Sequence, residues 1–492
     1  MLYLPLFSRK FWRVLTYASL LSGAFFLLSA CQLAPEYTRP QAPIPPDFPS
    51  PQGVSEPRRG LNLTLVLPGE ESLVSEVFRE PRLQALLNMA FQNNRDLGLS
   101  VLNVLEAQAQ SRVAFANRLP WLEAQGNKRV SGGEGQSTLS SYGAEVMVPA
   151  FELDFWGRLK NLETSALENY LGSQEALRAY AITLTKTLVS AYVEERLLAQ
   201  KEKLSSQTLR AYQDSLAFVE ERVISGQSTL LELEQARGQV AYMEAELLSL
   251  KSARTLAENA LKLIIGDFNP QNLPQPWELT AWEPWALNAQ IPSEVLLNRP
   301  DVLEAEHALK ASHADIGAAR AAFFPRLSLT SALGLMSPDL SNLFKNGTLN
   351  WSFTPTLGLP IFSGGSLRAN YDLSLIRRSK AILNYEKILQ TAFREVADAL
   401  LVKEDLKAQV TAREKYLATQ RRVLALATNR YQNGAVSYLE VLEAQRNVLE
   451  AEMSLLDARA DYLNNSINLY AALGGAAIVL LPDRPLEEYL KP

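Results

Sequence analysis

The chain has 492 residues, 47% of them hydrophobic, a formal net charge of −5 and a single cysteine. This length and apolar content suffice for a large buried core, and the weakly acidic balance lacks the basic patch or basic domain expected of a nucleic-acid-binding protein. The two histidines, His307 and His313, are six positions apart, whereas two zinc ligands on one helix favour a spacing of three or four, so no metal site is expected.

Residues 1–30 are predicted to be a lipoprotein signal peptide. A basic stretch precedes an apolar run over 14–28, and the sequence Leu-Ser-Ala then leads into Cys31. This resembles the bacterial lipobox, in which small residues precede a cysteine that becomes lipidated; an ordinary signal peptide beside a chance cysteine is the alternative. By the same resemblance, Gln32 favours the outer membrane, and acylation of Cys31 would leave no thiol for a disulfide.

The mature chain contains an internal duplication. At a constant offset of 208, the stretch from Arg222 to Gly266 matches the stretch from Arg430 to Gly474. A match at fixed period over dozens of residues indicates a duplicated unit, and two copies fit two halves of one pseudo-symmetric protomer better than a solenoid. The predicted boundaries are a lipidated Pro-rich tether over 31–74, a first repeat over 75–266, a linker over 267–292, a second repeat over 293–474 and a C-terminal segment over 475–492.

Each repeat is predicted to run helix, strand, strand, helix, helix. Two stretches, 150–269 and 361–481, contain no proline, and proline in a helix interior costs about 3 kcal/mol, so these stretches can form long helices. Gly226 and Gly434 divide each stretch into a pair of antiparallel helices. The predicted helices are 157–224, 228–266, 366–432 and 438–473, the longer ones about 100 Å. Apolar residues alternate at spacings of three and four from Leu389 to Tyr431, which is the signature of a coiled coil.

The predicted strands lie between the helices, at 121–131, 141–155, 326–336 and 349–362. Their lengths match the roughly 9–11 residues of a transmembrane strand, and the alternation of apolar with small or polar residues is typical of a membrane barrel. Four strands cannot close a barrel, and open edges would leave backbone groups unsatisfied in lipid, so two or more protomers must share one. A soluble sandwich inserted between helices is the alternative.

These features resemble the outer membrane factor (TolC-like) family, in particular its lipidated OprM/NodT-like efflux branch. The resemblance rests on Cys31 with PEYTRP, on NRDL, FELDFWGRL and NRPD, and on Arg430, Tyr431 and Gly434. It implies a mainly α-helical homotrimer with a shared 12-stranded barrel in the outer membrane lipids and a periplasmic tunnel of coiled-coil helices. It also implies a periplasmic adaptor (membrane fusion) protein, an inner membrane pump, usually of the resistance-nodulation-division type, and passive exit of small molecules such as drugs and toxic compounds.

The resemblance places an acidic channel gate at Glu440 and Glu443. The two are three positions apart and can share one side of a helix, and three copies would surround the axis with carboxylates that favour cations. Solvated flanks of a coiled coil are the alternative, and the first copy has Gln235 where the second has Glu443.

The resemblance also implies roles in the tip turns and in adaptor docking for Arg222, Gly226, Arg430, Tyr431 and Gly434. The sequence contains no GxxxxGK[ST], HExxH, GxSxG or CxxC motif, so neither an enzyme nor a cofactor other than the lipid on Cys31 is expected. A channel for protein secretion and a structural coiled-coil envelope lipoprotein remain the alternative functions.

Overall fold

The computed structural model describes residues 32–49, 78–135, 138–283, 291–345 and 347–475. The predicted signal peptide, Cys31, and parts of the predicted tether, linker and C-terminal segment lie outside these residues. Within them the chain forms seven α-helices and four β-strands: α1 (Pro81–Asn93), α2 (Arg95–Ala116), β1 (Glu123–Ser131), β2 (Leu139–Leu153), α3 (Arg158–Ile224), α4 (Leu230–Ile265), α5 (Pro300–Ala321), β3 (Arg326–Ser337), β4 (Leu349–Gly358), α6 (Ser366–Gln432) and α7 (Tyr438–Ala472).

The longest helices, α3 and α6, have 67 residues each, about 100 Å at 1.5 Å per residue. Both occupy the proline-free stretches, as the proline argument predicts. Among the helices of the described residues, none has both the length and the hydropathy that crossing a membrane requires.

Most predicted boundaries agree with the structure to within two residues, including strands β1 and β2 at 123–131 and 139–153 for the predicted 121–131 and 141–155, but two features differ more. The first repeat begins with two helices, because Asn94 ends α1 in an extended conformation and its side-chain oxygen then accepts the Leu97 N–H at 2.8 Å, which caps α2. The last strand was predicted to continue to 362 but ends at Gly358. Pro360 lies two residues further on, and proline has no N–H to donate to the next rung of a ladder.

The structure divides into two units, which we call the strand unit and the helix unit. Among the described residues, the strand unit comprises 32–41, 103–174 and 304–386, and the helix unit comprises the remainder.

The strand unit carries a four-stranded antiparallel sheet in the order β1-β2-β3-β4. A bulge between Val148 and Phe151 interrupts the β2–β3 ladder where Pro149 cannot donate, and Ala150 adopts a positive φ of 48° there. All ten residues of β4 are exposed, including Trp351 at 72%. Within the described chain β1 and β4 have no neighbour on their outer sides, so one protomer leaves two strand edges open.

The helix unit is built around an apolar cluster to which α1, α3, α4 and α7 contribute. Buried Glu80 holds this cluster to the adjoining segments. It caps α1 by accepting the Leu83 N–H at 2.6 Å, and it also accepts the Tyr192 hydroxyl at 2.8 Å and the Trp277 N–H at 3.1 Å. Burial, together with the charge of Glu80, raises the pKa of Tyr192. A carboxylate with three donors is the arrangement in which a buried charge is tolerated.

Candidate functional site at the helix tips

The α3–α4 and α6–α7 turns of the helix unit close with the same hydrogen bonds. Gly226 N–H donates to Val223 O at 3.0 Å and Gln227 N–H to Arg222 O at 2.7 Å; at the offset of 208, Gly434 N–H donates to Tyr431 O at 2.9 Å and Ala435 N–H to Arg430 O at 2.9 Å. This pair of bonds is a Schellman motif, which needs a left-handed residue after the helix. Gly226 and Gly434 supply it, with φ of +73° and +71°. Both therefore have the turn-forming geometry expected from the sequence.

The two equivalent arginines make different contacts. Arg222 lies over the Tyr431 ring, 4.8 Å from guanidinium carbon to ring centroid, and its Nη1 reaches Tyr431 O at 3.4 Å. Arg430 instead donates to Glu440 Oε1 at 3.0 Å, and both of those side chains are about half exposed. The first arginine thus joins the two copies, while the second forms a surface ion pair within its own copy.

An aromatic cluster fills the space beneath the turns. Tyr431 and Tyr438 are buried with ring centroids 5.6 Å apart, and Phe218 meets Tyr431 edge-on at 6.2 Å. The Tyr438 hydroxyl hydrogen-bonds to Ser215 Oγ at 3.1 Å. Burial raises the pKa values of both tyrosines, and the charge of Glu232 raises them further, so both stay protonated at neutral pH. The contacts among these aromatic rings and the bond to Ser215 are therefore uncharged, and salt does not screen them.

Glu232 is a tip residue to which the sequence argument assigned no role. Its Oε1 accepts the Tyr438 N–H at 3.2 Å, at the first residue of α7, and its own N–H donates to Thr229 Oγ1 at 3.2 Å. The sequence does mark Glu232 as a helix-capping residue, because Thr229-Leu-Leu-Glu232 is a capping-box pattern. In a capping box the carboxylate turns back to the backbone of its own helix. Here one oxygen of Glu232 accepts from the Ser228 hydroxyl just before α4, and the other oxygen caps the equivalent helix of the other copy.

The predicted gate residues lie side by side but in different surroundings. Glu440 is half-buried and paired with Arg430, whereas Glu443 is exposed and forms no ion pair among the described residues. A paired carboxylate contributes little net field, so Glu443 is the stronger unscreened negative charge on this part of α7.

The two histidines belong to the strand unit. His307 Nδ1 is 2.7 Å from Glu168 Oε2, and His313 packs edge-on against Tyr37 with centroids 5.6 Å apart. Within the described ranges, no three His, Cys, Asp or Glu side chains gather closely enough to hold a metal ion.

The model of the family described as outer membrane efflux protein matches residues 86–267 and again residues 291–475, and the two matches contain all the tip residues described above. The chain belongs to the outer membrane efflux protein family. It is 39% identical to the cation efflux system protein CusC of Escherichia coli, over 91% of this chain and 96% of CusC. It is 37% identical to the probable outer membrane lipoprotein SilC of Salmonella typhimurium, over 92% of this chain and 97% of SilC. The structure resembles the open state of the Neisseria gonorrhoeae MtrE outer membrane channel with a TM-score of 0.81, at 32% identity over 91% of this chain and 99% of MtrE.

Family membership places the protein in the outer membrane as the channel component of an efflux system. The helix-rich fold with few strands matches the fold of these channels. CusC is named a cation efflux system protein and MtrE an outer membrane channel, and these relatives favour efflux over protein secretion.

Proposed function

We propose that this efflux protein works as a homotrimer, in which three four-stranded sheets close a 12-stranded barrel and the long helices form a periplasmic tunnel with two halves per protomer. The observation that carries this proposal is the sheet with two open edges, whose strand β4 is exposed at all ten residues. Unpaired edges cost several kcal/mol per backbone group in lipid, and joining β4 of one protomer to β1 of the next removes them.

In this proposal Cys31 carries a covalent lipid, and the protein needs no other cofactor and performs no catalytic step. The likeness to SilC, a probable outer membrane lipoprotein, supports the lipid, as does the small-residue sequence that precedes Cys31. A diacyl or triacyl group supplies more than one chain, which is sufficient for stable attachment.

We assign the tip to two tasks. Arg222, Gly226, Arg430, Tyr431 and Gly434 shape the turns on which a periplasmic adaptor docks, and the adaptor links the channel to an inner membrane pump, usually of the resistance-nodulation-division type. The pump drives transport, and the channel is a passive exit duct for small molecules. The second task is gating by rings of Glu440 and Glu443.

The ion pair of Glu440 supports a larger role for Glu443 in this proposed gate. Glu440 is offset by Arg430 at 3.0 Å, so Glu443 carries most of the unscreened charge at the constriction. The field of a single carboxylate ring is sensitive to each of its charges, since a unit charge about 4 Å from a passing ion contributes about 1 kcal/mol even in water.

The assembly is tested with the purified protein in detergent. Chemical cross-linking and light scattering should give three copies, and deletion of the gene should raise the intracellular accumulation of exported compounds. A monomer whose strand edges stay open in lipid would refute the shared barrel, and unchanged accumulation of every compound tested would argue against efflux.

The gate is tested by single-channel recording in planar bilayers. We expect Glu443→Gln to reduce the preference for cations over anions about 5-fold, as one carboxylate per protomer is removed. Glu440→Gln should have a smaller effect, while Arg430→Gln, which unpairs Glu440, should increase the preference. Glu450→Gln is the matched control, an exposed acid two turns further along α7. Equal effects of Glu443→Gln and Glu450→Gln would show that the constriction lies elsewhere.

A further inference from the structure

The N-terminal segment beyond Cys31 lies along one face of α5 in the strand unit. Arg320 Nη1 donates to Leu33 O at 3.2 Å, and Tyr37 and Arg39 both reach Glu306, Tyr37 Oη at 3.0 Å and Arg39 Nη2 at 2.5 Å. As the segment advances from 33 to 39, its partners on α5 descend from 320 to 306. The segment therefore runs antiparallel to the helix.

Between Leu33 and Arg39, the contacts of the segment with α5 follow a regular register. A Cβ built on Gly317 would lie 2.6 Å from Asn161 Nδ2 and 2.8 Å from Ala34 Cβ, so a side chain at 317 would collide with both. The Tyr37 ring packs on His313, and Lys310 Nζ lies 5.5 Å from its centroid. Positions 306, 310, 313, 317 and 320 recur every three or four residues, which places them on one face of a helix. Six extended residues span about 20 Å and fourteen helical residues about 21 Å, so the two lengths match.

Helix α6 supplies the other side of the groove at a spacing of seven. Tyr371 accepts hydrogen bonds from Arg320 at 3.3 and 3.4 Å. Burial and the charge of Arg378 lower the pKa of His313, while burial and the charge of Glu306 raise the pKa of Tyr385, whose side chain is fully buried. Tyr371 thus contacts Arg320, while Arg378 and Tyr385 lie within electrostatic range of His313 and Glu306. Residues 33–39 therefore lie along α5 on the side where α6 packs, and we call this position the groove.

Glu306 is the strongest attachment in the groove. It is 4% exposed and is approached by the Tyr37 hydroxyl, the Arg39 guanidinium and Lys310 Nζ, the last at 3.3 Å. Burial alone would raise the pKa of Glu306, but the hydrogen bond from Arg39 and the charge of Lys310 outweigh burial and lower it. Arg39 is 45% exposed, so its side chain can leave the groove for water, whereas Glu306 would remain buried beside Lys310 alone.

We propose that residues 33–39 form a strap that fixes the lipid anchor to the body of the channel, and that Glu306 is the positioning residue that holds the strap in its groove. The chain extends at most about 7 Å from Leu33 back to Cys31. While the strap is docked, the lipid is therefore confined near the C-terminal end of α5. This helix ends at Ala321, and strand β3 begins five residues later. The anchoring part of this inference depends on the proposed lipid, whereas the strap itself does not.

Chymotrypsin cleavage after Tyr37 in the full-length protein tests the strap, because the bond is cut only when the strap leaves the groove and cleavage then reports the open population. We expect Glu306→Gln, which keeps the shape but removes the charge, to accelerate cleavage about 10-fold, the effect of losing a charged hydrogen bond. Arg39→Gln should act similarly and alters only the strap. Glu304→Gln is the matched control, since this exposed residue lies two positions away on a different face of α5.

The double variant Arg39→Gln/Glu306→Gln should be cleaved little faster than either single variant, because the pair is lost once. Cleavage that is unchanged in both single variants, or equally accelerated by Glu304→Gln, would overturn the strap. The mass of the released peptide 31–37 reports the lipid independently. A docked strap whose peptide lacks the lipid mass would refute the anchor while leaving the strap, and neither result depends on whether efflux is measured.

Discussion

Gly266→Ala is the substitution for which the structure predicts the largest loss of stability at a glycine in a helix cap. Gly266 ends α4 with φ of 77°, and its N–H donates to Lys262 O at 3.0 Å and Leu263 O at 3.1 Å. A Cβ there would lie 2.4 Å from Asn93 O and 2.7 Å from Asn93 C, at the junction of α1 and α2. Backbone atoms cannot rotate away as a side chain can. In the same junction, Asn94 Nδ2 donates to Ile264 O at 2.8 Å, so a shift of the junction would break a second contact.

The expected magnitude has two parts. A left-handed alanine costs about 1–2 kcal/mol relative to glycine. Forcing a methyl group into a packed contact adds about 1–3 kcal/mol. Gly226→Ala isolates the first part, because Gly226 has the same sign of φ and nothing within 4 Å of its Cβ. Gly238→Ala, in the exposed interior of α4, should stabilise by about 0.5–1 kcal/mol.

The assay is thermal unfolding followed by far-UV circular dichroism of the purified protein in detergent, at one scan rate because unfolding of such a protein is irreversible. The unfolding temperature should rise in the order Gly266→Ala, Gly226→Ala, parent, Gly238→Ala. If Gly266→Ala and Gly226→Ala unfolded at the same temperature, the close approach of Asn93 would have no energetic consequence and the reasoning would be wrong.

Two further predictions concern the groove and the tip. Burial, with the charge of Arg378, lowers the pKa of His313 in the folded protein below 6.5. The unfolded chain therefore binds a proton at His313 more readily than the folded chain does. The stability that neutral His313 contributes is present above about pH 6.5 and is lost as the pH falls through the lower pKa of the folded state. The unfolding temperature of the parent should therefore fall more between about pH 7.5 and 5 than that of His313→Gln, and parallel curves would contradict this. Tyr438→Phe removes the hydrogen bond to Ser215 Oγ without opening a cavity and should cost about 1 kcal/mol, read as a lower unfolding temperature; an unchanged temperature with Ser215 intact would show that the bond contributes nothing.

The long helices could be predicted because proline acts locally. A proline-free stretch with a spacing of three and four needs no tertiary information to be recognised, and the end of α6 at Gln432 agrees with the prediction. The break at Asn94 was missed, although asparagine is a preferred N-cap, because apolar periodicity continues through it.

The contacts of the tip and the groove could not be predicted in the same way. Glu232 and Tyr438 are 206 positions apart, and Arg39 and Glu306 are 267 apart. Neither pair is marked by spacing or composition, since only the folded chain brings them together. The segment 31–74 is predicted to be a Pro-rich tether, but its residues 33–39 lie against α5 and not in free solvent.

The open edges of the sheet make assembly a matter of concentration. With β4 exposed along its whole length, a single folded copy presents an unpaired strand that any other exposed edge can join. Completion of the proposed barrel is then an association reaction between chains. Its yield depends on how fast copies of this chain associate compared with pairing of the open edge to another exposed strand. The stability of the assembled channel accordingly depends on the concentration of protomers. It should fall when the protein is expressed at a lower level, even though the sequence is unchanged.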